Sequence, residues 1–431
     1  MPGQKLPGFM LHFSRLIAGI VFVYSGFVKG IDPLGSAYKF TDYFAAFNLG
    51  YIEPFALAFS ILLSSAEMLI GILLISGVHM ILASWAILIF MVFFTILTLI
   101  IALLDPVSDC GCFGDALILT NWETFWKNLV LMVFVIYLFF NRKKFKLFFG
   151  KKLMEWTALA GFIFIILGIT AYSYLNLPVF DFRPFNTGTN IVEKMSIPPD
   201  APGDEYEITL FYRKDGITRS FTVDSLPDSS WEWVSTESTL ITKGYEPPIS
   251  NFFIESVNDG NDYTYDILYD QGYTFLLIAY DLDKTSEKNI AGFNRLANWS
   301  AGNNVNFICL TGSPEPVIKD FAQRTDASYE FFYSDEITLK TVIRSNPGLV
   351  LLKEGTILGK WHHRNIPQPE ELTENLLSWS AGQHQDAKRS LITKGFLLAG
   401  LLLLTALKLI RLRLATPRNE VSPDNSIQSG T

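Results

Sequence analysis

Long apolar runs dominate the beginning of the chain. Runs near the ~20 residues needed to cross a bilayer occupy Phe9–Val28, Pro54–Ile75, Ile81–Leu104, Thr124–Phe140 and Trp156–Tyr174, and a sixth extends from Leu391 to Ile410. The first lacks a small-residue cleavage site and carries Lys29 at its far end, so it reads as a retained helix and not a signal peptide. Trp122 and Trp126 read as interface anchors.

From Leu177 the pattern changes. Asn176–Gly188 is an extended segment with Pro and Gly, in which Arg183 is read as a structural salt-bridge partner. Two alternating runs around Lys214-Asp215-Gly216 predict a hairpin, part of a small β element covering the next domain. Between about Ile249 and Ser380 strands and helices alternate, which predicts an α/β sheet. Strands are expected at Tyr273–Tyr280, Val305–Leu310, Ser345–Leu352 and Thr356–Trp361. Helices are expected at Glu287–Ala301, Pro314–Thr325 and from Pro369 to about Trp379. The domain plan is a membrane domain over 1–145, a fifth span at 153–176, a β-rich insert at 177–247, the α/β domain at 248–382, a sixth span at 391–410 and a polar cytoplasmic tail at 411–431.

Charge adds orientation. The loop Asn141–Lys152 carries six cations and no acid, and Arg411, Arg413 and Arg418 follow the sixth run. Positive loops stay in the cytoplasm. Both termini are therefore expected in the cytoplasm of a bacterium, with about 177–390 on the periplasmic side of its inner membrane. Composition agrees: the 431 residues are 49% apolar and include 36 Phe. A net charge of −8 without a long basic face argues against nucleic acid as a partner. The expected partners are membrane lipid and a periplasmic protein client.

Candidate chemistry concentrates in Ser108-Asp109-Cys110-Gly111-Cys112-Phe113-Gly114-Asp115, a polar loop that holds two of the three cysteines. Thiols at that spacing close a disulfide only in a small strained ring, and strained disulfides are readily reduced. A metal site competes, but no other Cys or His lies nearby to complete four ligands. Two unpaired thiols in a tight turn are the remaining alternative. Cys309, mid-strand, reads as an inert core thiol, and His362-His363 as a surface pair on opposite faces of a strand.

Charged residues inside membranes usually face a partner or a cavity. Arg15, Lys29 and Glu67 are such residues, with Asp32 beside Lys29. By depth Glu67 lies nearer to Arg15, its expected partner; alternatively Arg15 and Lys29 snorkel to the two interfaces.

The stretch Arg15–Lys29 followed by Asp32-Pro33, with Glu67 in the second helix and CGCFG before the fourth, resembles the DoxX and MauE-like membrane proteins over about residues 9–140. That resemblance implies a four-helix membrane bundle. It also implies electron transfer to quinone, thiol–disulfide balance, or maturation of a disulfide-rich periplasmic enzyme. The strand–helix order after Ile249 resembles a thioredoxin-like domain of the TlpA or peroxiredoxin type, with Pro347 in the place of that fold's cis-proline. Where that family carries CxxC, this chain has Asp281-Leu-Asp283-Lys-Thr-Ser286. Pro347, Asp281 and Asp283 then become candidate partner-binding residues of a docking module.

The expected fold is thus an α-helical membrane bundle, four DoxX-like helices plus two more, with an extracytoplasmic thioredoxin-like α/β domain and a small β insert. The expected function is thiol–disulfide redox or electron transfer through Cys110 and Cys112. Lys29 would lower a thiol's pKa and Asp109 would raise it. A non-enzymatic maturation factor and a transporter are the rival readings.

Overall fold

The computed structural model describes residues 6–145, 148–373 and 375–383, with side chains described from residue 9. The predicted sixth span and the tail lie outside the described residues. By internal packing the chain divides into Met1–Glu371 and Leu372–Thr431. Within the second unit the described residues form a helix at 376–383. The helix expected from Pro369 to Trp379 is not continuous: Pro369–Glu371 is a 3-10 turn, and Leu372, Thr373 and Asn375 are not helical.

Among the described residues, five helices are long and apolar enough to cross a membrane, and the chain is a membrane protein. They are α1 (Leu6–Ile31), α3 (Ala56–Ser76), α4 (Met80–Leu104), α5 (Asn121–Phe140) and α6 (Lys152–Leu175), with α2 (Pro33–Ala46) interposed after the first. Large side chains such as Ile89, Phe93, Ile96 and Leu103 stay exposed on α4, as they can where the solvent is lipid. Inside, Phe22, Leu74, Ile87, Met91, Val135 and Leu138 form the packed core.

Two glycines set the closeness of α1 and α3. A Cβ on Gly26 would lie 2.3 Å from the Met68 amide nitrogen, and one on Gly71 would lie 2.5 Å from that of Val23. Small residues at such crossings let backbones meet in a membrane bundle, where lipid gives no hydrophobic drive to association.

Helix α2 was not anticipated, although its start is written in the sequence. Asp32 accepts from the Gly35 amide at 2.9 Å and Pro33 takes the first helical position, the usual helix-opening pair. At the next such start, Thr120 and Glu123 form a reciprocal capping box that opens α5.

Beyond the bundle come α7 (Ile191–Met195) and an antiparallel sheet of β1 (Glu205–Lys214), β2 (Ile217–Thr222) and β3 (Glu232–Thr242), in the order β2-β1-β3. Asp215 and Gly216 turn the predicted hairpin, both at positive φ. The sheet does not cover the next domain as expected. Every residue of β3 is exposed, because Thr, Ser and Glu alternate through it and leave no continuous apolar face to bury.

The α/β domain comprises β4 (Glu255–Ser256), α8 (Thr264–Leu268), β5 (Tyr273–Ile278), α9 (Ile290–Gly302), β6 (Asn306–Thr311), α10 (Glu315–Thr325), β7 (Glu330–Tyr333), α11 (Glu336–Val342), β8 (Gly348–Lys353) and β9 (Thr356–His362). Its sheet runs β4-β7-β6-β5-β8-β9. Strands β5, β6 and β7 are parallel, and the β8–β9 hairpin closes the other side antiparallel to β5. A central parallel βαβ unit with a terminal hairpin is the thioredoxin-like arrangement. The pair β7–α11 was not read from the sequence, since a four-residue strand carries almost no periodicity.

His362 and His363 correct another expectation. Both are buried, with ring centroids 4.1 Å apart. The strand ends at His362, so two-residue alternation no longer governs His363, whose Nδ1 lies 3.1 Å from Ser345 Oγ.

Candidate redox site

The loop between α4 and α5 is held by its own backbone. Gly111 and Gly114 both adopt positive φ, a region that favours glycine. Tyr43 of α2 donates to the Cys110 carbonyl at 2.8 Å, and Ser25 of α1 donates to the Cys112 carbonyl at 2.7 Å. Asp109 accepts from the Gly111 amide at 2.8 Å and from Lys39 Nζ at 2.6 Å. With these anchors the Cys110 and Cys112 sulfurs lie 2.7 Å apart as a hydrogen-bonded pair of thiols.

The two thiols differ electrostatically. The hydrogen bond from Cys110 holds the Cys112 thiol down at about 7, and the ammonium groups of Lys127 and Lys29 act in the same direction against burial. Cys110 is pushed up, first by donating that hydrogen bond and then by burial. Cys112 is therefore the thiolate of the pair at neutral pH, and the thiolate is the nucleophile in thiol chemistry. Asp109, expected to raise a thiol's pKa, is paired with Lys39.

Glu67 pairs with Lys29, not with Arg15. Lys29 Nζ lies 2.5 Å from Glu67 Oε2, while Arg15 sits beside Gly77 at the opposite end of α3. The reason is the antiparallel register that Gly26 against Met68 and Gly71 against Val23 impose, which sets Lys29 at the level of Glu67.

A cavity of about 500 Å³ opens between the helices next to the loop. Phe22, Phe40, Phe44, Phe59, Phe90 and Phe94 contribute to its wall, and Cys110, Cys112, Lys29 and Glu67 line it as well. On the other side of the loop a cleft of about 510 Å³ separates the bundle from the α/β domain. Gly111 lines both spaces, whereas the two cysteines line only the aromatic one. The loop is thus a partition with its thiols turned toward the bundle.

The α/β domain is fastened beside this partition. Arg344 Nε donates to Asp32 Oδ2 at 2.9 Å, and Arg344 Nη2 to Asp115 Oδ2 at 3.2 Å. Tyr38 and Tyr280 meet hydroxyl to hydroxyl at 3.0 Å. Burial pushes the Asp32 carboxyl up, but the Arg344 and Arg183 guanidiniums hold it below its usual range on balance.

The remaining candidates lie apart from the thiols. Asp281 caps its own turn through the Asp283 and Lys284 amides and pairs with Lys284 at 2.8 Å, and Asp283 is exposed. Asn346–Pro347 is a cis peptide bond next to that turn, with Asn346 Nδ2 donating to the Asp281 carbonyl at 2.7 Å. Arg183 is buried and donates to Asp181 at 2.7 Å. Cys309 is fully buried in β6, and burial pushes its thiol up. Sequence reasoning missed Ser25, Lys39, Tyr43, Lys127 and Arg344. Ser25 was detectable as a serine one helical turn before Lys29, and Lys39 with Tyr43 as an i, i+4 pair.

Comparison with known proteins agrees with this division. Residues 7–141 match the family described as methylamine utilisation protein MauE, and residues 206–243 match a domain of unknown function. Over 240 residues the chain is 25% identical to protein TlpB of Flavobacterium psychrophilum, a match covering 54% of this chain and 62% of that protein. The chain thus spans less than two thirds of that relative's length. Among solved structures, StoA from Bacillus subtilis aligns at 16% identity over 30% of this chain and 96% of its own, with a TM-score of 0.23. The thioredoxin domain of a thiol-disulfide oxidoreductase from Bacteroides vulgatus aligns at 13% identity over 29% of this chain and 87% of its own, with a TM-score of 0.23. At those scores the fold rests on the strand order above. The N-terminal region is a MauE-family domain, and the region that follows carries a thioredoxin-like α/β domain.

Proposed function

We propose that this protein is a thiol–disulfide redox component of a bacterial inner membrane, working through Cys110 and Cys112. The observation that carries the reading is the pair itself: two thiols 2.7 Å apart, one of them lowered to about 7, at the wall of an aromatic cavity. Oxidation joins the sulfurs and releases two electrons and two protons. A quinone dissolved in the bilayer is an acceptor that takes both and leaves as quinol. The apolar cavity beside the thiols suits such a molecule, which needs a greasy pocket with a few polar groups. In this reading both termini lie in the cytoplasm, and the α/β domain faces the periplasm, where disulfides persist.

A second reading is a non-enzymatic maturation factor whose α/β domain binds a periplasmic client. It is favoured by Asp281–Ser286, a turn without cysteine, with Pro347 close by as a docking edge. The test uses the purified, reduced protein in detergent, mixed with a water-soluble short-chain quinone. Quinone absorbance should fall with wild type and stay constant with Cys110→Ser and Cys112→Ser. Loss of absorbance that is equal in all three proteins would refute the redox reading and leave the docking module.

A further inference from the structure

Three lysines line the aromatic cavity beside the thiols, and two of them are satisfied. Lys29 pairs with Glu67, and Lys39 with Asp109 at 2.6 Å. Lys127, in the second turn of α5, has neither an ion pair nor a hydrogen bond among the described residues. The acid one turn earlier, Glu123, is taken by the Thr120 amide and hydroxyl at 2.9 Å each. The Lys127 ammonium instead rests 4.3 Å from the centroid of the Phe113 ring, and Phe113 lines the same cavity. A ring face attracts the charge, but it offers no oxygen to the ammonium's three N–H donors.

A charge within a membrane span is costly and usually faces a partner or a cavity. Near a helix end a lysine can also snorkel toward the headgroups. This one turns to the cavity wall, where Cys110 and Cys112 also lie. The carboxylate on that wall, Glu67, does not compete for it, because Lys29 and Ser25 already hold Glu67. Against an apolar wall a charge is weakly screened and attracts an oxygen that enters. An apolar pocket with one free cationic donor is matched by a flat apolar ring that carries an oxygen acceptor.

We infer that Lys127 is the residue that binds the acceptor, its ammonium donating to a ring oxygen of the quinone while the ring lies among the cavity's phenylalanines. The inference rests on the redox reading above and names the group that selects its substrate. The Cys112 thiolate and the Cys110 thiol lose two electrons and join. The Cys110 proton, and the one that Cys112 had released to solvent, go to the two quinone oxygens and give quinol. Negative charge thus moves from sulfur to oxygen. Lys127 acts electrostatically on both sulfurs, so one cation stands beside that charge before the transfer and after it. A fixed charge aimed where negative charge develops lowers the barrier without reorganising.

The test is binding, read without the reaction. Full-length protein carrying Cys110→Ser and Cys112→Ser, in detergent, is dialysed to equilibrium against a short-chain quinone. A parallel dialysis uses the dimethoxybenzene with the same ring substituents and chain, which lacks the two carbonyl acceptors. With both sulfurs gone, the action of Lys127 on the thiolate does not enter the readout. A hydrogen bond from a charged donor is worth about tenfold or more in affinity, so Lys127→Met should weaken the quinone by about that factor. It should leave the dimethoxy compound unchanged, which also shows that the variant is folded, and Lys127→Arg should restore most of the quinone binding. Undiminished quinone binding in Lys127→Met would overturn the inference. So would an equal loss of both compounds, since the lysine would then only shape the wall. Displacement of the quinone by decanoate, at a lower concentration than the quinone itself needs, would assign the cation to a lipid carboxylate and overturn it too. If the parent protein binds no quinone, this inference falls, while redox titration of Cys110 and Cys112 in membranes still decides separately whether the thiols cycle.

Discussion

Arg344 of the α/β domain and Asp32 of the bundle meet at 2.9 Å, with the guanidinium 7% exposed. The pair joins the segment before Pro347 to the junction of α1 and α2, three residues beyond Lys29. It therefore fixes the α/β domain beside the thiol loop, which the same guanidinium also touches through Asp115. Removing one partner of a buried ion pair leaves an uncompensated charge, at about 3–5 kcal/mol. Asp32 keeps some solvent contact, so Arg344→Ala should fall at the lower end, about 3 kcal/mol. The melting temperature should drop, and protease should cut the 177–190 connection faster. Arg344→Lys should not restore it, since a single ammonium cannot reach both Asp32 and Asp115 as the fork does.

The thiols should differ in reactivity with a definite pH sign. A thiol is uncharged when protonated, so the thiolate fraction of Cys112 grows as pH rises through about 7 and is complete above it. In the reduced protein, a slow alkylating reagent should label Cys112 before Cys110. Its rate should climb about tenfold per unit below the midpoint and flatten above. Cys110→Ala removes the hydrogen bond that contributes most to the lowering. A return to the ordinary thiol range near 8.5 would reduce labelling at pH 7 about 15-fold. Equal labelling of both thiols across the range would contradict the assignment.

Gly26→Ala should damage the site from a distance. The new methyl would stand 2.3 Å from the Met68 backbone nitrogen, so α1 and α3 must separate. Overpacking of this kind costs about 1–3 kcal/mol or more. The Lys29–Glu67 contact across the same interface should be lost with it. Gly50→Ala, where a Cβ meets nothing within 4 Å, is the control and should leave the melting temperature unchanged.

How far these relationships were legible in the sequence depended on how local they are. Crossing helices announced themselves because transfer into lipid is a property of one stretch of chain. The thiol loop was equally plain, from two cysteines between apolar runs. Partnership between elements was harder. Glu67 looked nearer to Arg15 in depth because the register of α1 on α3 comes from Gly26 and Gly71, whose spacing says nothing by itself about what faces them. Arg344 was invisible for the same reason, being 312 residues from Asp32. The exposure of β3 was readable, since Ser235-Thr-Glu-Ser-Thr239 has no apolar face, but it was overridden by the expectation that an insert must cover something.

Excising that sheet should therefore change little. Tyr245 N donates to the Pro202 carbonyl at 2.8 Å, so the ends of the insert already meet. Replacing residues 205–243 by a short Gly-Ser linker should shift the melting temperature by less than about 2 °C, which is under about 2 kcal/mol for a chain of this size. The quinone assay should be unaffected. A large loss of stability would mean that the sheet is packed against something.

The central claim is that Cys110 and Cys112 exchange electrons, and the most direct measurement is their redox state in native membranes. Cells carrying Cys309→Ala would be quenched in acid, alkylated, and alkylated again with a heavier reagent after titration with dithiol buffers of known potential. The account predicts a pair found partly oxidised, converting as one two-electron couple at a potential above about −300 mV, the range of labile and not structural disulfides. A pair that is wholly reduced in cells, or that stays oxidised under strong reductant, would contradict it.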